Sequence, residues 1–253
     1  MSSVTPIGAT YRGPSLHGQV VHELGARIAG GHYAPGEILP SEEELGTQLH
    51  VSRTALREAI KVLAAKGLVE SRPRVGTRVR PIDAWNQLDP DVLAWRCRTM
   101  PDARFIEQLA EMREIIEPAA AQLAARHRSD EQLAAIEAAL AGMGAARRIE
   151  AWVEADVDFH RAILSATGNS LLMPLAALIG ATLESVLVLT ARRADDFRIA
   201  LPDHARVCDA IRSRDTLAAG QAMSLLLADS RRRLLAAPPA VPPPARTARR
   251  NRG

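Results

Sequence analysis

The chain has 253 residues, enough for two domains that each bury a core. Its 32 basic and 29 acidic residues leave a net charge of only +3, so overall charge alone does not mark a nucleic-acid binder. Aromatic residues make up 3%, which disfavours folds that bind single strands by base stacking.

Cys97 and Cys208 make no disulfide framework and are expected as buried thiols of a reducing cytoplasm. The first residues lack the basic and apolar regions of a signal peptide. The longest uncharged apolar run, Leu171 to Leu183, contains Pro174 and Gly180 and is too short to span a bilayer. The expected setting is therefore the cytoplasm, with no membrane partner.

Residues 1–14 mix Pro, Gly, Ser and Thr without periodicity and are expected to be mobile. Leu16, Val20, Leu24 and Ile28 keep one face, which predicts a helix over 15–29 ended by Gly30-Gly31. Ser41 and Glu44 have the spacing of a capping box, so a helix carrying Leu45 and Leu49 inward should begin there. His50-Val51 makes a short turn, and Ser52 suits the N-cap of a further helix over roughly 53–66. On that helix Leu56, Ala59, Ile60 and Leu63 face inward, while Arg53, Arg57 and Lys61 recur every four residues on another face. Gly67 suits its C′ position, and L-V-E-S, R-P-R-V-G and T-R-V-R then read as two short strands around a basic tip.

Cap, turn, cationic stripe and basic hairpin, in that order, describe a winged helix-turn-helix over 15–80. A recognition helix enters the major groove N-terminus first, where Arg can fork onto guanine O6 and N7. Arg72, Arg74 and Gly76 lie at the tip of the wing, placed to touch phosphates or an adjacent minor groove.

Pro81 opens a linker over 81–100, within which Asp89 and Pro90 form an N-cap and N1 pair for a short helix. From 101 to 236 the pattern is helical. Phe105 to Leu123 line one long helix that Pro118 should bend, and Leu133 to Met143 line the next. Trp152 to Thr167, Leu171 to about Thr190, His204 to Arg214 and Thr216 to Leu235 complete an antiparallel all-α bundle of six to seven helices. The Leu171 helix is the most apolar and is expected at the centre. Residues 237–253 read as a disordered basic tail. The fold class is mainly α.

Three polar residues fall on inward faces of this bundle. Val153, Asp156, Val157, His160, Ile163 and Leu164 form one stripe, and His204 heads another with Val207, Cys208 and Ile211. A carboxylate and two imidazoles are costly to bury unless they meet partners.

The segments Gly30–Leu45 and Val51–Ala59 resemble the DNA-binding signature of the GntR family of bacterial regulators. Pro101 to Leu235 is similar to the helical effector domain of the FadR branch, through M-R-E-I-I-E-P, D-V-D-F-H, D-H-A-R-V-C-D-A-I and A-M-S-L-L-L-A-D-S-R-R-R-L. The resemblance implies that Arg53 and Arg57 read an operator, that Ser52 and Thr54 hold phosphates, and that the wing around Arg72–Gly76 lies beside the duplex. Some members carry Arg where Glu43 stands, so that base contact is not available here. It further implies that Asp156, His160 and His204 coordinate a divalent ion such as Zn, Ni or Mn, or bind an effector's hydroxyls directly. The family's additional His falls at Leu226, so water or ligand would complete the shell.

Arg113 matches an arginine that family members point into this cavity, and its fork suits a carboxylate. The linker W-N-Q-L-D-P-D-V-L-A-W resembles that of the D-galactonate-responsive repressors of the branch, which favours a hydroxylated sugar acid such as a hexonate.

One recognition helix covers only a few base pairs, so the expectation is a homodimer on a palindromic site, released by a small organic acid. Two other readings differ in class. A constitutive architectural DNA binder would use the second domain only to dimerise. A metal-dependent hydrolase would use Asp156, His160 and His204, but the chain has no nucleophile elbow, phosphate loop or HExxH, so no enzyme activity is expected.

Overall fold

A computed structural model describes residues 16–99, 103–180, 183 and 198–235. The stretches expected to be a mobile lead and a basic tail lie outside these residues. The N-terminal unit comprises α1 (Leu16–Ala29), α2 (Glu42–Leu49), α3 (Arg53–Ala65) and the hairpin β1 (Val69–Arg72) and β2 (Gly76–Val79).

Local chemistry sets each boundary. The Ser41 hydroxyl accepts the Glu44 N–H at 3.3 Å, and the Glu44 carboxylate accepts the Ser41 N–H at 2.9 Å, completing a capping box. His50 takes a left-handed φ of 54° and turns the chain, and Ser52 caps α3 by accepting the Ala55 N–H at 3.2 Å. Gly67 ends α3 at φ +81°, where a Cβ would lie 2.5 Å from the Ala84 carbonyl, so only glycine fits. The strands pair antiparallel with Val69 opposite Val79 and Arg72 opposite Gly76. Val21, Leu24, Leu45, Leu56, Leu63 and Leu68 are buried together beneath these elements.

The segment after β2 is packed into the same core. A 3-10 turn (Ile82–Ala84) leads into α4 (Pro90–Thr99), and Trp85, Val92 and Trp95 join the core of the N-terminal unit. Lys66, the C-cap of α3, holds Asp89 at 2.8 Å and Asp91 at 2.9 Å, tying the end of α3 to the start of α4. The other face of α4 presents Leu93 and Cys97 to Phe105, Leu109 and Leu178.

The bundle contains α5 (Ala103–His127), α6 (Asp130–Ala145), α7 (Ile149–Ala166), α8 (175–180), α9 (Leu201–Arg212) and α10 (Thr216–Leu235). α5 packs against α7, α9 and α10, and α6 against α7 and α9. Ala120, Ala121, Ala124 and Ala125 of α5 are small enough for close approach, and they meet Phe159, Ile163, Val207, Ile211 and Met223 in one core. Pro118 lies within α5 without interrupting it. Cys97 and Cys208 are buried.

Several boundaries depart from expectation. Leu171 opens no helix. It lies in a 3-10 turn (Ser170–Leu172) capped by Asn169 and is 81% exposed, and the helix starts at 175, just after Pro174. Met173 before it keeps helical angles, φ −60° and ψ −39°, so Pro174, which has no N–H to give, marks the start of the helix rather than breaking it. Much of the expected run to Thr190 lies outside the described residues. α9 begins at Leu201 with Pro202 in its first turn, which places His204 one turn inside rather than at the head. α7 begins at Ile149 rather than Trp152. Its stripe is led by Trp152, Phe159, Ile163 and Leu164, with Val153 and Val157 only half-buried.

Candidate functional site

Two regions hold the chemistry, one exposed and one buried. α3 is anchored by Leu56, Ala59, Ile60 and Leu63 and turns Ser52, Arg53, Thr54, Arg57 and Lys61 to solvent. All three cations meet carboxylates: Arg57 Nε donates to Glu42 at 2.7 Å, Arg53 Nη2 lies 3.3 Å from Glu43, and Lys61 Nζ donates to Glu58 at 2.7 Å. Arg72, Arg74 and Gly76 are exposed in the hairpin, where Arg74 has φ 63° and Gly76 φ 105°. An amphipathic helix whose exposed face begins at its N-cap, beside a basic hairpin, is built to enter a major groove.

The buried region brings together what sequence spacing had separated. Asp156 and His160 share a face of α7, and His204 meets them from α9. His204 Nε2 lies 3.0 Å from Asp156 Oδ1, and His160 Nε2 lies 3.3 Å from the same oxygen. The other His204 nitrogen, Nδ1, lies 2.8 Å from the Ala200 carbonyl, an acceptor, so Nδ1 carries the proton there and Nε2 faces the cluster. Arg113 of α5 reaches in as well, with Nη2 3.2 Å from His160 Nε2.

Glu117, also on α5, completes the cluster and was not singled out from sequence. One carboxylate oxygen accepts from Arg113 Nε at 2.5 Å, and the other is in direct contact with His160 Nδ1. Among the described residues neither atom has a hydrogen-bond partner, and the contact is an ion pair in which each charge answers the other. All five side chains are buried. The available signal was Arg113 and Glu117 at i, i+4, a spacing common to exposed helix pairs, with nothing to mark this one as interior.

The electrostatics follow from this enclosure. Burial alone would push Glu117 up, but the adjacent charges of Arg113 and His160 outweigh it and hold the carboxyl at about 2. Burial likewise opposes ionisation of Asp156, and hydrogen bonds to His160 and His204 hold it well below the usual carboxylate range. His160 is disfavoured as a cation by burial and by Arg113, yet the Glu117 and Asp156 carboxylates raise it to about 9.

His160 Nε2 is a contested atom, with an arginine donor on one side and a carboxylate acceptor on the other. Asp156, His160 and His204 offer one oxygen and two nitrogens all within 4.8 Å of one another. An imidazole nitrogen approaches a carboxylate oxygen this closely either as an N–H donor or with a metal ion between them, and one oxygen with two nitrogens suits a divalent transition metal. Leu226, where the resemblance places a further histidine, is buried and apolar.

A winged helix joined to a helical domain with an internal polar cluster defines a DNA-binding regulator with an effector domain. The model for bacterial regulatory proteins of the gntR family matches residues 16–79, and the FCD domain model matches residues 108–229. The chain is 38% identical over 215 residues to the galactonate operon transcriptional repressor of Escherichia coli (strain K12), covering 84% of this chain and 93% of that one. It is 39% identical over 211 residues to the HTH-type transcriptional regulator YieP of the same organism, covering 82% and 90%. A solved structure described as Lar, which controls the Listeria monocytogenes agr system, shares the fold at TM-score 0.64 and 20% identity, covering 88% and 98%.

The chain belongs to the GntR family of bacterial regulators, in its FadR branch with an FCD domain. It is a DNA-binding transcriptional regulator whose second domain binds a small-molecule effector. It is not an enzyme.

Proposed function

We propose that the protein is a homodimeric repressor that holds a palindromic operator and is released by a small hydroxylated carboxylic acid of the sugar-acid class. Arg53 and Arg57 read bases, Ser52 and Thr54 hold phosphates, Lys61 adds charge along α3, and Arg72, Arg74 and Gly76 bring the wing to the backbone. A regulator of this kind acts in the cytoplasm, on chromosomal DNA. The observation that carries the effector reading is Arg113 beside Asp156, His160 and His204: a guanidinium for a carboxylate next to groups for hydroxyls. The name of one relative, the galactonate operon transcriptional repressor, supports both the sign of regulation and the acid class.

In the same reading Asp156, His160 and His204 hold one divalent ion, to which the effector's oxygens add. Buried Leu226 supports the second reading, in which the three groups bind hydroxyls without metal. Thermal melting against a panel of sugar acids and other carboxylates, each with added Zn²⁺ or with EDTA, separates the two. The expected result is a stabilisation by a hydroxy acid that Arg113→Ala abolishes and EDTA reduces. No shift with any acid would leave a constitutive DNA binder. A shift indifferent to EDTA would leave direct binding.

A further inference from the structure

The two exposed arginines of the recognition helix are each met by a carboxylate from the preceding helix, and fold stability does not account for the arrangement. Exposed pairs of this kind contribute little to folding. Glu42 and Glu43 open α2, where an acid complements the helix dipole, but that role does not require them to turn onto α3. They lie 2.7 Å from Arg57 Nε and 3.3 Å from Arg53 Nη2, on a face that meets phosphates, where a carboxylate costs affinity.

We propose that Glu42 and Glu43 determine DNA specificity, Glu42 by positioning Arg57 as a guanine reader and Glu43 by weakening attachment that lacks a base contact. The proposal rests on the reading of Arg53 and Arg57 as operator contacts. Glu42 engages Nε and so fixes the guanidinium plane, while the Nη1 and Nη2 edge has no hydrogen-bond partner among the described residues. That edge is the one that forks onto guanine O6 and N7. Glu43 instead occupies Nη2 of Arg53, so Arg53 must give up this contact before its own end can fork. Both carboxylates repel phosphates, which lowers sequence-independent attraction more than it lowers a matched base contact. Arg57 thus reads a guanine, and Glu42 is its positioning residue.

The test uses the full-length chain. Selection from a random duplex library gives the preferred site, and fluorescence anisotropy then measures binding to that duplex and to a shuffled one at two ionic strengths. Glu42→Gln keeps the side-chain shape, so its melting temperature should match the wild type. It should bind the shuffled duplex more tightly, lower the preferred-to-shuffled ratio about tenfold, and lose preference at the same base pair that Arg57→Ala relaxes. Glu43→Gln should tighten binding to both duplexes with a smaller loss of ratio.

A wild-type ratio and base preference in Glu42→Gln, with preference lost in Arg57→Ala, would overturn the proposal and leave the operator contact standing. A lower ratio with unchanged base preference would also overturn the positioning role. If Arg53→Ala with Arg57→Ala binds both duplexes like the wild type, the operator contact itself fails.

Discussion

The ring of Trp95 lies against Gly25: a Cβ on that glycine would fall 2.4 Å from two ring carbons. The indole N–H donates to His22 Nδ1 at 2.9 Å, so the ring is pinned from α1 at two points. α4 therefore packs on α1 through a contact that only glycine permits. Gly25→Ala should cost about 1–3 kcal/mol through overpacking, despite alanine's better helix propensity. Urea unfolding reads this directly, and an unchanged midpoint would mean that Trp95 gives way freely.

Lys66 is the other tie between α3 and α4. Burial works against its charge, but hydrogen bonds to Asp89 and Asp91 outweigh it and raise its pKa above the ordinary 10.5. Because the folded value is the higher one, the stability it contributes is fully present below pH 10.5 and is lost as pH rises through the raised value. Lys66→Met leaves half-buried Asp89 and buried Asp91 without their cation and should cost about 1–3 kcal/mol. The variant's unfolding free energy should also lose that alkaline dependence. Equal dependence in variant and wild type would assign it elsewhere.

The buried cluster makes two opposite pH limbs in protein stripped of metal by EDTA. Glu117 titrates at about 2 in the folded chain against an ordinary 4.5, so its contribution is present above pH 4.5 and lost as pH falls through 2. His160 titrates at about 9 against 6.5, so its contribution is complete below pH 6.5 and lost as pH rises through 9. Glu117→Gln removes the negative charge between Arg113 and His160 and should destabilise by about 3–5 kcal/mol. Melting temperatures from acid to alkaline pH should show the acid limb in the wild type and not in the variant. A cluster indifferent to Glu117→Gln would mean that water reaches it.

Metal binding should run against that proton. His160 must lose its proton at Nε2 to ligate, so zinc affinity should rise with pH up to about 9 and binding should release protons into the buffer. Asp156→Asn removes the negative charge on which both imidazoles converge and should weaken zinc at least tenfold. Calorimetric titration in buffers of different ionisation enthalpy measures both effects. A wild type that takes up no zinc at any pH would leave the three groups to the effector's hydroxyls.

What the sequence alone determined lies within one or two helical turns. The Ser41–Glu44 box, the Ser52 cap and Gly67 at its positive φ are all set by neighbours a few residues apart, whose preferences act before any packing. Asp156 and His160 were legible for the same reason, since i, i+4 on an apolar stripe defines a shared inward face. His204 was legible from its own apolar stripe, and motif resemblance carried Arg113 to them.

Tertiary structure decided the partners. Glu117 reads in sequence as an ordinary helix acid, and only the approach of α7 to α5 sets it against His160. Glu42 and Glu43 read as helix-start acids until α2 docks beside α3 and turns them onto Arg57 and Arg53. The segment from 81 read as a linker because Pro81 closes the last strand, yet Trp85, Val92 and Trp95 each find a site in the first core. Such contacts depend on how whole elements pack, and hydrophobic burial, which drives that packing, carries no directional signal along the chain.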